Sequence, residues 1–209
     1  REIRSLPVLL LLFVAVPPAA DSNVIAGCRI ERGARCPDAN LAGADLRGVD
    51  LSNAHLSGAN LSGANLQNAR LDGATLTRTD LSGADCRSAS LNDANLQGAN
   101  LFGALLQLTD LDDANLQDAV MGSADLRGAQ LRGANLFRAN LANAQLQDAN
   151  LADADLRSAN LTRVSLAGTS LQRANLVDAD LTDADLRGAN TGHANFLRAK
   201  TLRCNGCPS

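Results

Sequence analysis

The sequence predicts an all-β solenoid, a chain wound into short stacked coils around one narrow core. Three observations predict it. Leucine recurs every fifth residue, as in "ANLSGANLQNARLDG" at residues 59–73, where Leu61, Leu66 and Leu71 fall five apart. This register runs without insertion from Ala39 to Arg198, 32 consecutive units, and 28 of the 32 centres are Leu; the others are Cys86, Met121, Thr191 and Phe196. Two residues before the centre stands Ala, or Val49, Thr79, Thr109, Val164 or Thr169, and two residues after it stand 12 of the 17 glycines.

An α-helix turns about 100° per residue, so leucines five apart would stand about 140° from one another and line no common face. A continuous strand alternates its side chains with period two, so an odd repeat would send alternate leucines to opposite faces. A short extended piece satisfies the spacing if Ala and Leu, two apart, point inward and a turn then re-aims the chain. Gly after the centre, with Asn53, Asn68 and Asn143 in the same slot, fits a corner that needs positive φ. Successive coils then pair their backbones ~4.8 Å apart and share a core of leucine over alanine.

These residues resemble the pentapeptide repeat family, whose pattern of Ala, Asn or Asp, Leu and two further residues is matched over residues 39–198. The resemblance implies a right-handed quadrilateral β-helix with four units to a coil. That gives about eight coils and a rod on the order of 38 Å long.

Composition narrows the function. There is no Trp or Tyr and only four Phe, so the aromatic platforms of carbohydrate clefts and single-stranded nucleic-acid grooves are missing. Residues 39–198 hold 18 Asp against 12 Arg, which argues against a nucleic-acid groove and is only mildly acidic for a mimic of DNA.

The segments outside the repeat read differently. Residues 1–20 are expected to be a signal peptide: Arg1 and Arg4, an apolar run from Leu6 to Val16, then Pro18, Ala19 and Ala20. The run is short for a membrane span, which takes about 20 apolar residues, although an uncleaved anchor is a competing reading. "IAGC" at residues 25–28 also resembles a bacterial lipoprotein box in which Cys28 would carry a lipid anchor, but Asp21, Ser22 and Asn23 separate it from the apolar run. Residues 21–38 are then an N-terminal cap segment, 39–198 the repeat, and 199–209 a C-terminal tail.

Cys28 and Cys36 precede the repeat, and Cys204 and Cys207 follow it. On a rod of about 38 Å the two pairs cannot bridge one another, since a disulfide needs Cα atoms within about 7 Å, nor can they share one zinc ion. Local pairing, Cys28 with Cys36 and Cys204 with Cys207, is the expectation. It fits an oxidising compartment and ties down ends where the stack exposes an open backbone edge. Cys204 and Cys207 also have the spacing of a redox centre, but no thioredoxin-like alternation of strands and helices surrounds them. Cys86, in a core leucine's place, reads as an inert buried thiol.

A 20-residue coil turns the outside into columns. Arg47, Gln67, Arg87, Gln107, Arg127, Gln147 and Arg187 align on one side, with Asp45, Asp85, Asp125 and Asp185 two residues before the arginines, an arrangement expected to neutralise itself. Asp72, Asp93, Asp110, Asp112 and Asp113 gather on the next side. Ca²⁺ takes several oxygen ligands, and no loop wraps this cluster, so it reads as a solvated acidic face and no metal is assigned. Phe102, Leu105, Leu108 and Val120 stand around one corner, as apolar residues in positions that elsewhere are polar or Gly. Phe137, Val177 and Leu197 share a column nearer the C-terminus. Both groups are candidate partner contacts, with drift in a tolerant repeat as the competing explanation.

No catalytic constellation or cofactor motif emerges. His55 and His193 lie about seven coils apart, and a smooth rod offers no cleft. The resulting expectation is a non-enzymatic, exported scaffold, periplasmic or extracellular, whose flat faces bind a protein partner or a second copy of the chain. It has no cofactor, no nucleic acid and no membrane span. The competing reading comes from the family, some of whose members mimic DNA and protect type II topoisomerases such as DNA gyrase from quinolones. Loop-free coils, arginines among the aspartates and the export signal depart from that pattern. Ice or mineral binding would want long threonine columns, and Thr75, Thr77 and Thr79 extend into none.

Overall fold

The computed structural model describes residues 23–208, so the expected signal peptide lies outside the described residues. The described chain opens with a small hairpin, β1 (Val24–Ile25) paired antiparallel with β2 (Cys28–Arg29). From Arg35 onward it is a ladder of single-residue parallel bridges. Each joins a residue to the one 20 positions later, from Arg35 with His55 to Asp185 with Asn205. Four units therefore make one coil, and the fold is a solenoid of the β-helix type. The rungs are one residue long because a corner follows each extended piece at once. Among the described residues there is no helix, and none long and apolar enough to cross a membrane.

The unit 59–63 shows why the winding is stable. Ala59 N donates to Leu56 O across the corner at 3.0 Å, and Asn60 N to Ala39 O of the preceding coil at 2.8 Å. Leu61 N donates to Asp80 O and Gly63 N to Ser82 O of the following coil, at 2.7 and 2.9 Å. The fifth donor, Ser62 N, is met by the Asn60 side chain, whose Oδ1 accepts at 3.0 Å. That bond explains the Asn and Asp before the centre, because an Asx side chain that accepts from the backbone two residues on begins a turn. The same contact joins Asp80 to Ser82 N and Asn135 to Phe137 N.

The corner residue takes the left-handed conformation in every unit from Gly33 to Arg203, with φ between 53° and 71°. Where the repeat supplies no glycine, Asn, Asp, Ser, Arg, His and, at one corner, Leu108 are held there. Inside, the leucine centres from Leu41 to Leu186 are at most 3% exposed. Thr79, Thr109 and Thr169 occupy the alanine slot, fully buried, and each hydroxyl donates to a centre carbonyl of the preceding coil, Leu56, Cys86 or Leu146, at 2.6–2.8 Å. Those bonds compensate for burying the hydroxyl. Cys86 is sealed in the core, where burial pushes its thiol up to about 12.

The winding extends past both ends of residues 39–198: Arg35 forms a rung before them, and Lys200 and Asn205 form rungs after them. Cys28, Ile30, Ala34 and Cys36 are buried and seal the N-terminal end. At the other end Ala194, Phe196 and Ala199 are only half-buried. Cys28 and Cys36 stand at disulfide distance, Cα atoms 5.5 Å apart, and so do Cys204 and Cys207, at 5.7 Å.

Two substitutions test the roles of centre and Asx residue. Leu126→Asp places a carboxylate among apolar neighbours and should cost at least ~3–5 kcal/mol or abolish folding. Gln145 stands where most units carry Asn or Asp, and Gln147 N has no acceptor among the described residues. Gln145→Asn should supply one and raise stability by ~0.5–1 kcal/mol in denaturant titrations. Equal midpoints for the two variants would contradict both assignments.

Candidate interaction surface

The winding distributes side chains over four sides, and much of the charge they carry is paired. On the side carrying the rungs Asp45, Asp85, Asp125 and Asp185, the arginine two residues on grips each carboxylate with two bonds. The distances are 2.6–2.9 Å for Arg47, Arg87, Arg127 and Arg187. Gln67 and Gln107 reach up one coil and donate to Asp85 and Asp125 at 2.6 Å. The basic column is thus internally neutralised. A second set of pairs, absent from the sequence-based expectation, staples successive coils at the corners. Arg138 grips Asp118, Arg173 grips Asp153, Arg198 grips Asp178 and Arg203 grips Asp183, each across 20 residues. The signal was an Asp and an Arg in corner slots one coil apart.

On the acidic side, Ser90 Oγ donates to Asp72, Asn92 donates to Asp110 at 3.0 Å, and Arg132 N donates to Asp112 at 2.8 Å. Partial burial, with Asp110 and Asp113 nearby, raises the Asp112 carboxyl above its ordinary value. Among the described residues no three His, Cys, Asp or Glu side chains group so as to hold a metal ion.

The apolar exceptions divide on inspection of their burial. Phe102 is 55% exposed, Leu108 67% and Val120 40%. Leu105 is half-buried, less open than its position predicts. Phe102 leans over Gly122 one coil on, and Leu108 lies over Gly128 in the same way. Val120 interrupts a column in which Asn100 donates to Asp80 and Asn160 to Asn140, at 3.0 and 3.1 Å. The C-terminal column is not a continuous apolar strip. Arg157 stands between Phe137 and Val177, and the guanidinium groups of Arg138 and Arg157 lie 5.0 and 5.4 Å from the Phe137 ring centre. Phe137 and Val177 are therefore half-buried, while Leu197 is 58% exposed. Leu202, at 64% exposed, is a further apolar residue that the columns did not single out.

The Asp85 pair yields a pH prediction. The Arg87 side chain holds the Asp85 carboxyl down to about 2 from its ordinary 3.8, with Gln67 assisting and burial opposing. A carboxyl depressed in the folded state contributes stability above its unfolded value, and that contribution is lost as pH falls toward 2. Asp85→Asn keeps the turn-forming carbonyl and removes the charge. At pH 6 it should be less stable than the parent by ~1–2 kcal/mol, allowing for a partly exposed arginine, and the gap should close near pH 2. A gap independent of pH would show that the pair contributes through shape alone.

Several solved proteins are similar to this chain. HetL, a pentapeptide repeat protein involved in heterocyst differentiation regulation from the cyanobacterium Nostoc sp. strain PCC 7120, is 30% identical over 82% of this chain and 88% of its own, with a TM-score of 0.45. QnrB1, a plasmid-mediated fluoroquinolone resistance protein, is 17% identical over 81% of this chain and 80% of its own, with a TM-score of 0.51, a likeness of fold alone. A pentapeptide repeat protein from the Arabidopsis thaliana thylakoid lumen is 29% identical over 48% of this chain and 66% of its own, with a TM-score of 0.25. No curated protein matches the chain. The family model for pentapeptide repeats matches eight copies, at residues 34–73, 69–107, 109–143, 139–178 and 179–200, and the chain belongs to the pentapeptide repeat family.

Proposed function

We propose that this protein is a non-enzymatic, exported interaction scaffold, a right-handed rod of about eight coils that binds a protein partner through the coil spanning residues 101–120. One observation carries the reading: three independent rules of the repeat are broken within that coil. Phe102 replaces a small or polar residue, Leu108 is an exposed leucine held at a φ of 58°, and Val120 breaks a polar column. Left-handed backbone at a leucine costs about 1–2 kcal/mol, a cost that glycine and asparagine corners lessen and that no other corner carries with an apolar side chain. Phe137, Val177 and Leu197 form a secondary candidate contact, weakened by the arginines over Phe137. Two cysteine pairs at disulfide distance support an oxidising setting. The burial of Cys28 and its closeness to Cys36 weigh against lipid attachment there. Arginines grip the aspartates of the column from Asp45 to Asp185 and several corner aspartates, and the negative charge neutralised there weighs against mimicry of DNA.

The test is Phe102→Ser combined with Leu108→Asn, which restores the repeat's own surface chemistry without touching Leu101 or Leu106. Stability should hold or rise by ~1 kcal/mol as the corner strain is relieved, while self-association in sedimentation and capture of partners from the native compartment fall at least tenfold. Unchanged sedimentation and unchanged capture would mark the patch as drift.

A further inference from the structure

The two ends of the rod differ in how their cysteine pairs are protected. Cys28 and Cys36 are 2% and 7% exposed, built into the seal of the N-terminal end. Cys204 and Cys207 are half-buried on the open last coil, within reach of a small thiol. Cys86 is sealed in the core, so accessible sulfur chemistry is concentrated at the C-terminal end.

The course of the chain there is set by four residues. Cys204 enters the alanine slot, and Asn205 makes the last rung: Leu186 N donates to Asn205 O at 2.7 Å, and Asn205 N to Ala184 O at 2.9 Å. The next position, a leucine centre elsewhere, is Gly206 with a φ of 82°. A Cβ there would fall 2.9 Å from the carbonyl carbon and oxygen of Leu186. Only glycine lets the chain fold back so tightly on that peptide. Cys207 thereby returns to Cys204 instead of continuing the coil, and Pro208 lines one open cavity together with Thr191, Ala194, Phe196 and Ala199 at the mouth of the core. Farther along the same edge, the backbone N–H groups of Thr191, His193, Phe196 and Arg198 donate to no acceptor among the described residues, as expected of an open strand edge. A bridge closing so short a loop removes little chain entropy, so its effect is local rather than global.

We propose that the Cys204–Cys207 bridge is a thiol-operated latch that holds residues 204–208 over the end of the rod. A dithiol reductant opens it by exchange: one thiolate attacks a bridge sulfur, the second resolves the mixed disulfide, and the products are Cys204 and Cys207 thiols and the oxidised reductant. The freed tail then releases the last rung and leaves the Leu186 N–H and the half-buried Phe196 uncovered. The latch is open in a reducing compartment and closes where thiols are oxidised.

Amide hydrogen exchange on the full chain tests this, with dithiothreitol as the reductant and mass measurement to count free thiols. Reduction should raise exchange at Leu186 and Asn205 at least tenfold and leave Leu126 and Leu131 unchanged. Cys204→Ser with Cys207→Ser should exchange rapidly at the same two amides without reductant, whereas Cys28→Ser with Cys36→Ser should stay slow until reductant is added. Equal exchange before and after reduction, a serine variant as protected as the oxidised parent, or a bridge that resists millimolar dithiothreitol in the folded chain would each overturn the proposal.

Discussion

Everything in this structure depends on closing each coil at 20 residues. In the unit 59–63 all five backbone donors are met: one by the corner, one by the unit's own Asn side chain, and three by the coils before and after. The last three exist only if residues 20 apart face one another. An unmet buried backbone group costs about 1–3 kcal/mol, and each unit would lose several bonds at once if the register slipped. That cost accounts for a chain that repeats from Ala39 to Arg198 with no residue added or lost.

The same constraint shapes what the molecule can do. Coils without insertions place no lid over the described residues 39–198, so their side chains are displayed on flat sides and at the two ends. On the sides, most charge is consumed by pairing, Arg to Asp within a unit and across the corners between coils. Exposed pairs of this kind contribute little each, but they leave the surface without a strong field of either sign. Against that quiet background the residues that stand out are apolar, Phe102, Leu108 and Val120 on one coil and Leu197 and Leu202 near the open end. Interaction energy is then concentrated in a few side chains rather than spread along the rod.

The sequence made the inward leucines and the left-handed corners legible, because each follows from excluding helix and strand at a five-residue period. The number of sides was not legible from spacing, since a five-residue corner closes on three, four or five units alike; it came from the family resemblance, and the 20-residue ladder bears it out. The role of the Asn and Asp before each centre also stayed hidden, because a side chain accepting from its own backbone leaves no partner in the sequence to notice. Exposure was misjudged where the neighbour lies a coil away: Phe137 reads as bare until Arg157 is seen above it. The difference between the sealed and the open end follows from where Ile30 and Gly206 direct the chain, which no periodicity encodes.

The central claim, that the coil length rather than local preference governs stability, is tested most directly by thermal unfolding of two insertion variants. One adds a single alanine between Gly128 and Ala129, and the other duplicates residues 119–138, a whole coil. The duplicated chain should fold and melt at or above the parent, since it adds a complete set of rungs. The single alanine should lower the melting temperature by more than about 10 °C or abolish folding, although it disturbs far less sequence. Similar melting for the two insertions would contradict the account.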